Sequence, residues 1–517
     1  MRIIDFFDQG VRYHSGNVAF IDGEERLTYA EADSASRKIA AALHGRAYGK
    51  GTHIGIYSPN ANIAFLALLG LMRAEGIWLP INPRNSTDTN IDLSERFDME
   101  VLFYHSSFAE KAQQMADAVP GIKETVCLDG AAGEGMALDT WLEGYEDDFE
   151  AGAEEPDDLL AIFPTGGTTG KSKGVLMNHA AIETWYANYY THFSYYENSV
   201  HLVVAPMTHT AGILGGMHFA RGGTNIMMAQ ASPEGIMQAI HEHGVTHLFL
   251  PPTVLYMMLA HENVANYDFS SLQHFIVGAA PTSLEKLKEA VKVFGPVMTE
   301  AYGQVEAPAA VAMKAPWDYL DADGNINDQR LKGIGRPGAF NQVAILDDDG
   351  KEVPRGEAGE ICLRGRLVTL GYYKNSEATA EVREFGWHHT GDVGVMDDDG
   401  YITIVDRKKD MIITGGFNVY PNEVEQVLSE HPAVQEAAVI GIPDDKWGEA
   451  VKAIVQLKPG QEATDSELIA MVKEKLGGVK APKTVDIMDD LPRSAVGKVL
   501  KTELRKPYWE GADRNVS

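Results

Sequence analysis

Apolar runs of strand length alternate with amphipathic stretches of helical period along most of the chain. That rhythm calls for α/β layering with partly parallel sheets. Two helices can be read to their ends. In "SPEGIMQAIHEHG", Ser232 is placed to cap, Pro233 to open the first turn and Gly244 to stop it. In "PTSLEKLKEAVKVFG", Thr282 and Glu285 have the spacing of a capping box. There Leu284, Leu287, Val291 and Phe294 recur at helical intervals, and Gly295 ends the run. The most apolar segment, "IAFLALLGLM" (63–72), is too short to span a bilayer and predicts a buried helix. Two acidic stretches, 144–158 and 318–329, read as solvated loops.

Near "DRKKD" (406–410) the pattern changes. A helix, two strands, a second helix and a strand follow in "NEVEQVLSE", "VQEAAVIGI", "AVKAIVQLK", "DSELIAMVKEKL" and "KTVDIM". That is enough for a small α+β domain with its own core. The expected organisation is a large N-terminal domain of layered αβ sheets over 1–406 and a small, mobile α+β domain over 407–517.

Composition narrows the function classes. The chain of 517 residues carries 74 acidic against 44 Lys and Arg residues, a formal net charge of −30. No basic stripe for nucleic acid is expected, and a polyanionic ligand would need well-placed local cations. Cys127 and Cys362 are the only cysteines, too few for a disulfide framework or a Cys-based zinc site. The opening "MRIIDFFDQG" holds Asp5 and Asp8 and no long apolar run, which argues against a signal peptide. A cytoplasmic protein without a membrane span is the expectation.

The stretch "PTGGTTGKSKG" (164–174) ends like a Walker A loop, but the required first glycine falls on Thr165, so the spacing fails. Strand-like "LLAIFPT" precedes it and strand-like "VLMNH" follows, so no helix N-terminus is present to support a phosphate. A Gly/Thr-rich loop between strands can still wrap phosphates, with backbone N–H groups approaching closely and hydroxyls donating. The structural alternative is a tight surface turn.

The same stretch resembles the phosphate loop of the adenylate-forming superfamily, which holds acyl-CoA synthetases, luciferases and peptide-synthetase adenylation domains. That loop runs T-S/G-G-T/S-T-G-x-P-K-G, matched here by Thr165, Gly166, Gly167, Thr168, Thr169 and Gly170 through Lys173 and Gly174. Ser172 replaces the usual proline, and Lys173 takes the place of the family's loop lysine. Further segments follow in the family's order. "PMTHTAG" resembles the acyl-site motif, with His209 at its aromatic or His position. "GAAPTS" resembles the adenine-contact segment, with Gly278, Ala279, Ala280 and Pro281. "AYGQVEA" resembles Y-G-x-T-E, with Tyr302, Gly303 and Glu306. "HTGDVG" carries Asp392, "DRKKDMIITGGFNVYPNEVE" carries Arg407, Lys409, Gly415, Gly416 and Glu423, and "LPRSAVGKVLK" carries Lys498. Alone, several of these segments are also ordinary structure: a turn at "HTGDVG", a strand end at "YGQVE", a hairpin at Gly415-Gly416.

The resemblance implies an ATP-dependent carboxylate:CoA ligase that forms an acyl-adenylate, releases pyrophosphate and then forms a thioester. In that reading Glu306 and Thr168 hold Mg²⁺, and Thr168, Thr169 and Lys173 hold the β- and γ-phosphates. Tyr302 lies near adenine, Asp392 meets the ribose hydroxyls, and Lys498 bridges the attacking carboxylate and the α-phosphate. Lys409 is the hinge, and Gly415 and Gly416 line the path of the CoA thiol. The acyl pocket is expected among Trp185, His209, Gly212, Met217, Gly278 and Gly303. Because "PMTHTAGILGGMHF" offers no Asp for an amino group and has many glycines, the expected acid is hydrophobic, either a medium- to long-chain fatty acid or an aryl or bulky cyclic one. Val305 departs from the family's Thr or Ser and removes a hydroxyl expected on the AMP phosphate. The alternative is a stand-alone adenylation enzyme that loads a carrier protein in trans, since few residues follow Lys498. A luciferase-like oxygenase is a third reading. The partners are the small-molecule acid, ATP and CoA. Oligomeric state, a homodimer included, is not readable from the sequence.

Overall fold

The computed structural model describes residues 1–153, 155, 157–165, 172–193, 197–280, 282–444, 446–493 and 499–509. Gly166, Gly167, Thr168, Thr169, Pro281 and Lys498 lie outside the described residues. Packing divides the chain into two compact units. The first takes residues 1–165, 172–342 and 363–383, and the second takes 343–362 and the chain from 384 onward. A single cut at 406/407 does not coincide with this division, which gathers residues 343–362 and 384–406 with the C-terminal segment.

Among the described residues the first unit holds two large sheets. One has seven strands in the order Met136–Ala137, Glu124–Cys127, Val101–Tyr104, His53–Tyr57, Ile77–Pro80, Leu159–Pro164, Gly174–Asn178. All neighbours are parallel except the last pair. The other has nine strands, parallel through its centre from Met298–Gln304 across to Val18–Asp22 and antiparallel at both edges.

The helix Asn62–Arg73 is buried almost all round, as its apolar run predicts. Arg73 is tolerated there, 1% exposed, because its guanidinium meets Asp8 at 2.6 Å and Asp33 at 2.5 Å. In the helix Pro233–His243, Ser232 Oγ accepts the Gly235 N–H at 3.0 Å and Gly244 stops the helix at φ 61°.

Two local expectations are corrected. The helix Leu284–Phe294 starts one residue later than the Thr282 box requires, with Ser283 at the cap position and no side-chain cap bond. Glu285 therefore falls one position short of the reach-back site and pairs with Lys288 instead. Residues 318–329 are not wholly a solvated loop. Tyr319 is fully buried and donates to Glu300 Oε2 at 2.8 Å, Asp318 accepts the Ala315 N–H at 2.9 Å, and Asp328–Leu331 is a helical turn. The buried Lys314 explains the inward turn: it pairs with Glu300 and donates to the carbonyls of Leu331 at 3.0 Å and Gly333 at 2.7 Å.

Gln342–Leu346, Ala358–Arg364, His388–Met396 and Ile402–Arg407 form a four-stranded sheet whose residues belong to the second unit except Gln342, Leu363 and Arg364. A second sheet is built round Gly448–Leu457, which pairs with Ile412–Thr414, Val434–Asp444 and Thr484–Ile487. The helices Pro421–Ser429 and Asp465–Leu476 contribute Val424, Leu428, Leu468 and Val472 to its core. The helix–strand–strand–helix–strand order read from the sequence is the order found.

Candidate active site

The base of the phosphate loop is an antiparallel strand pair, with Pro164 opposite Gly174. Thr165 N–H donates to Lys173 O at 2.8 Å, and Lys173 N–H donates to Thr165 Oγ1 at 3.0 Å. Ser172 Oγ donates to Thr165 O at 2.5 Å, a bond the family's proline could not make. Gly174 has to be glycine, since a Cβ there would sit 2.7 Å from both Phe97 and Ile162. The sequence thus pins both ends of the loop.

Tyr302 and Gly303 lie on the strand Met298–Gln304, and Glu306 sits in the turn before the strand Ala307–Lys314. That turn folds back tightly, for a Cβ on Gly303 would be 2.3 Å from Ala309 N. The glycine is thus consumed by backbone packing. Glu306 accepts the Tyr372 hydroxyl at 2.6 Å, and Lys173 Nζ lies 4.8 Å over the Tyr372 ring. Burial and the Glu306 charge push the Tyr372 phenol well above its ordinary range, so it stays a donor. Val305 packs against Val175, Tyr372 and Ala378.

Gly278 follows the strand His274–Val277, with Ala301 O and Phe249 both 3.3 Å from where its Cβ would be. Ala279 and Ala280 are exposed, and Ala279 holds a left-handed φ of 70°. Exposed His209 precedes the helical turns Thr210–Gly216, with Nδ1 3.0 Å from Thr210 Oγ1 and its ring edge-on to Phe163. Trp185 and Met217 are both 1% exposed. The glycines here do not open room. A Cβ on Gly212 would be 2.0 Å from Met207 O, and one on Gly216 would be 2.4 Å from the Tyr186 hydroxyl. They let the helix pack closely, so the glycines themselves do not mark the acyl pocket.

In the second unit Asp392 and Arg407 are cross-strand partners, with Arg407 Nε 3.7 Å from Asp392 Oδ1. The turn before Asp392 is braced by buried Glu360, which accepts the Gly391 N–H at 2.9 Å, His389 Nδ1 at 3.0 Å and Lys408 Nζ at 3.1 Å. Burial works against the Glu360 charge, but these donors outweigh it and hold the carboxyl below its ordinary range. Glu360, Cys362 and His389 bring three donor atoms within 4.8 Å, yet the carboxylate is already engaged by N–H groups. Lys409 lies in the turn Lys408–Asp410, whose carbonyls accept from Arg505. Gly415 and Gly416 form a two-residue hairpin at φ 59° and 81°, with Thr414 opposite Phe417. Trp447 covers Gly415, where a Cβ would be 2.6 Å from the ring, and nothing lies within 4 Å of one on Gly416.

The family model for the AMP-binding enzyme matches residues 6–373, and that for the AMP-binding enzyme C-terminal domain matches residues 423–498. The chain belongs to the AMP-binding enzyme family. This AMP-binding enzyme is 35% identical to the medium/long-chain-fatty-acid–CoA ligase FadD8 of Mycobacterium tuberculosis, over 98% of this chain and 90% of that one. It is 34% identical to the 3-[(3aS,4S,7aS)-7a-methyl-1,5-dioxo-octahydro-1H-inden-4-yl]propanoyl:CoA ligase of Rhodococcus jostii, over 94% and 95%. Its fold matches ATP-bound MatB from Rhodopseudomonas palustris with a TM-score of 0.88 at 27% identity, over 98% of this chain and 99% of that one. The AMP-binding enzyme is an AMP-forming acid–thiol ligase that works on a carboxylic acid, ATP and CoA. Among the described residues no helix is long and apolar enough to cross a membrane.

Sequence reasoning missed Tyr372 and Glu360. Nothing local marks either, because their partners lie far away in the chain.

Proposed function

We propose that this enzyme activates a hydrophobic carboxylic acid, a medium- to long-chain fatty acid or an aryl or bulky cyclic acid, and passes the acyl group to CoA. The observation that supports it is the convergence of Lys173, a phosphate-loop cation, and Glu306, a carboxylate, on the one Tyr372 side chain. A polyphosphate needs a cation and a metal-holding acid side by side, and positioning with charge stabilisation supplies most of such catalysis. The hydrophobic class is supported by the segment after His209, where Ala211, Ile213, Leu214 and Met217 are all buried. The names of the FadD8 and Rhodococcus relatives specify a fatty acid and a bicyclic propanoate for those proteins.

A carboxylate is a poor acyl donor until AMP replaces its oxide leaving group. The acid attacks the α-phosphate, with Lys498 as the bridging cation, while Thr168, Thr169 and Lys173 hold the departing pyrophosphate. Tyr302 and the 278–281 segment take the adenine, and Asp392 with Arg407 takes the ribose side. Glu306 offers a hard carboxylate oxygen with only one of its oxygens bonded to Tyr372, which suits Mg²⁺, and Thr168 completes the assignment. When bound, that ion neutralises triphosphate charge. In the thioester step the thiol passes Gly415 and Gly416, and Lys409 serves as the hinge.

A panel of carboxylic acids with ATP, with and without CoA, tests the reading. AMP, pyrophosphate and a CoA thioester are expected, with hydrophobic acids preferred. ADP with orthophosphate would sink it. Adenylation without thioester formation would favour a carrier-protein acceptor. Lys498→Ala should stop adenylation yet leave thioester formation from supplied acyl-adenylate, and equal loss of both steps refutes its role.

A further inference from the structure

We propose that Tyr372 is a positioning residue for the Mg²⁺-nucleoside triphosphate: its hydroxyl fixes Glu306 and its ring seats Lys173. The inference rests on the reading of those two residues given above.

Tyr372 belongs to a short strap, residues 369–373, that runs between the Glu306 turn and the strand Gly174–Asn178. At one end Thr369 N–H donates to Glu306 O at 2.9 Å. Along its length the strap lies antiparallel to the strand Gly174–Asn178: Leu370 N–H donates to Leu176 O at 3.0 Å, Leu176 N–H to Gly371 O at 2.8 Å and Tyr373 N–H to Gly174 O at 2.7 Å. The strap therefore registers the Glu306 turn against the strand that leaves the phosphate loop. Its own conformation is held by Gly371, at φ 121°, and by Tyr372 N–H donating to Thr379 Oγ1 at 2.9 Å. A Cβ on Gly371 would be 2.4 Å from Thr379 Cγ2.

From this strap the Tyr372 side chain, 8% exposed, spans the gap. Its hydroxyl binds one Glu306 oxygen at 2.6 Å and leaves the other for a cation. Its ring face attracts the Lys173 ammonium, 4.8 Å from the centroid, and packs on Val175 and Val305.

The test uses the full-length enzyme with Tyr372→Phe, Tyr372→Leu and Glu306→Gln. Calorimetry measures ATP affinity as a function of Mg²⁺ concentration, beside thermal melting and affinity for the acid. Tyr372→Phe should raise the Mg²⁺ needed for half-maximal ATP binding about tenfold, the weight of one charge-assisted bond, with melting and acid affinity unchanged. Tyr372→Leu should in addition weaken ATP binding without Mg²⁺, because Lys173 loses its seat. If Glu306→Gln shifts the Mg²⁺ dependence and Tyr372→Phe does not, the positioning role is overturned. If neither shifts it, the assignment of Glu306 itself is wrong, and the inference falls with it.

Discussion

Val305 shows how a motif departure is absorbed. The family's hydroxyl at that position is replaced by a side chain packed against Val175, Tyr372 and Ala378, so the chain trades a phosphate donor for apolar contact beside its own positioning tyrosine. Thr is nearly isosteric with Val, and Val305→Thr restores the donor. We expect adenylation, read as pyrophosphate exchange, to rise about tenfold, since a hydrogen bond to a charged group contributes about 1.5–3 kcal/mol. Thermal stability should fall slightly, because a hydroxyl enters an apolar cluster at a cost of about 1 kcal/mol. Lost stability with no gain in rate would make Val305 a packing residue alone. Motif residues such as Glu306 and Lys173 were legible as types, but their meeting point was not. Tyr372 lies 66 positions from Glu306, and no local pattern carries a bond of that span.

At the scale of elements, the parallel strands Val200–Val203, His247–Leu250 and His274–Val277 align His201, His247 and His274 in direct register. His218 stacks on His201 at 4.9 Å and meets His247 at 4.9 Å, and all four imidazoles are 2% exposed or less. Burial pushes His201 down to about 4, and burial with the neighbouring imidazoles pushes His218 and His247 well below their ordinary range. In the unfolded chain each histidine takes its proton near pH 6.5, so below that pH the unfolded state binds more protons. Stability is therefore complete above about pH 6.5 and falls on acidification by about 1.4 kcal/mol per pH unit for each such histidine, until the folded group titrates. Urea midpoints between pH 7.5 and 5 should show this steep loss, and His218→Gln should flatten it; identical slopes would remove the histidines as its source. The glycine hairpin makes a second prediction. Gly415→Ala meets Trp447 and an unfavourable φ, so it should destabilise the fold. A bulky Gly416→Leu has open space around it but a strained φ of 81°, so it should cost some stability as well, while sparing adenylation and blocking thioester formation. If thioester formation survives, Gly416 does not line the thiol path. Most element types were legible from periodicity. The errors came where long-range contacts decide: Thr282 lost its cap to a one-residue shift, and buried Lys314 and Glu300 drew the polar 318–329 segment inward.

For the whole molecule, the sequence showed a change of character near 406, yet packing gathers 343–362 and 384–406 into the same unit as the C-terminal segment. Those strands read like any others, and only their partners reveal which core they serve. Each unit buries its own apolar cluster: Ile236, Leu248, Leu287 and their neighbours in the first, Leu428, Val439, Val451 and Leu468 in the second. Two cores allow two cooperative transitions, so a single unfolding free energy is not expected to describe the chain. Leu428→Ala removes a fully buried side chain from the second core alone and should cost that unit about 2–5 kcal/mol. Denaturant unfolding can be followed by tryptophan emission, with Trp78, Trp141 and Trp185 reporting on the first unit and Trp387, Trp447 and Trp509 on the second. Single-tryptophan variants should place the Leu428→Ala shift in the second unit's transition and leave the first in place. If both sets of reporters shift together by the same amount, the two cores unfold as one cooperative body and the division has no thermodynamic counterpart.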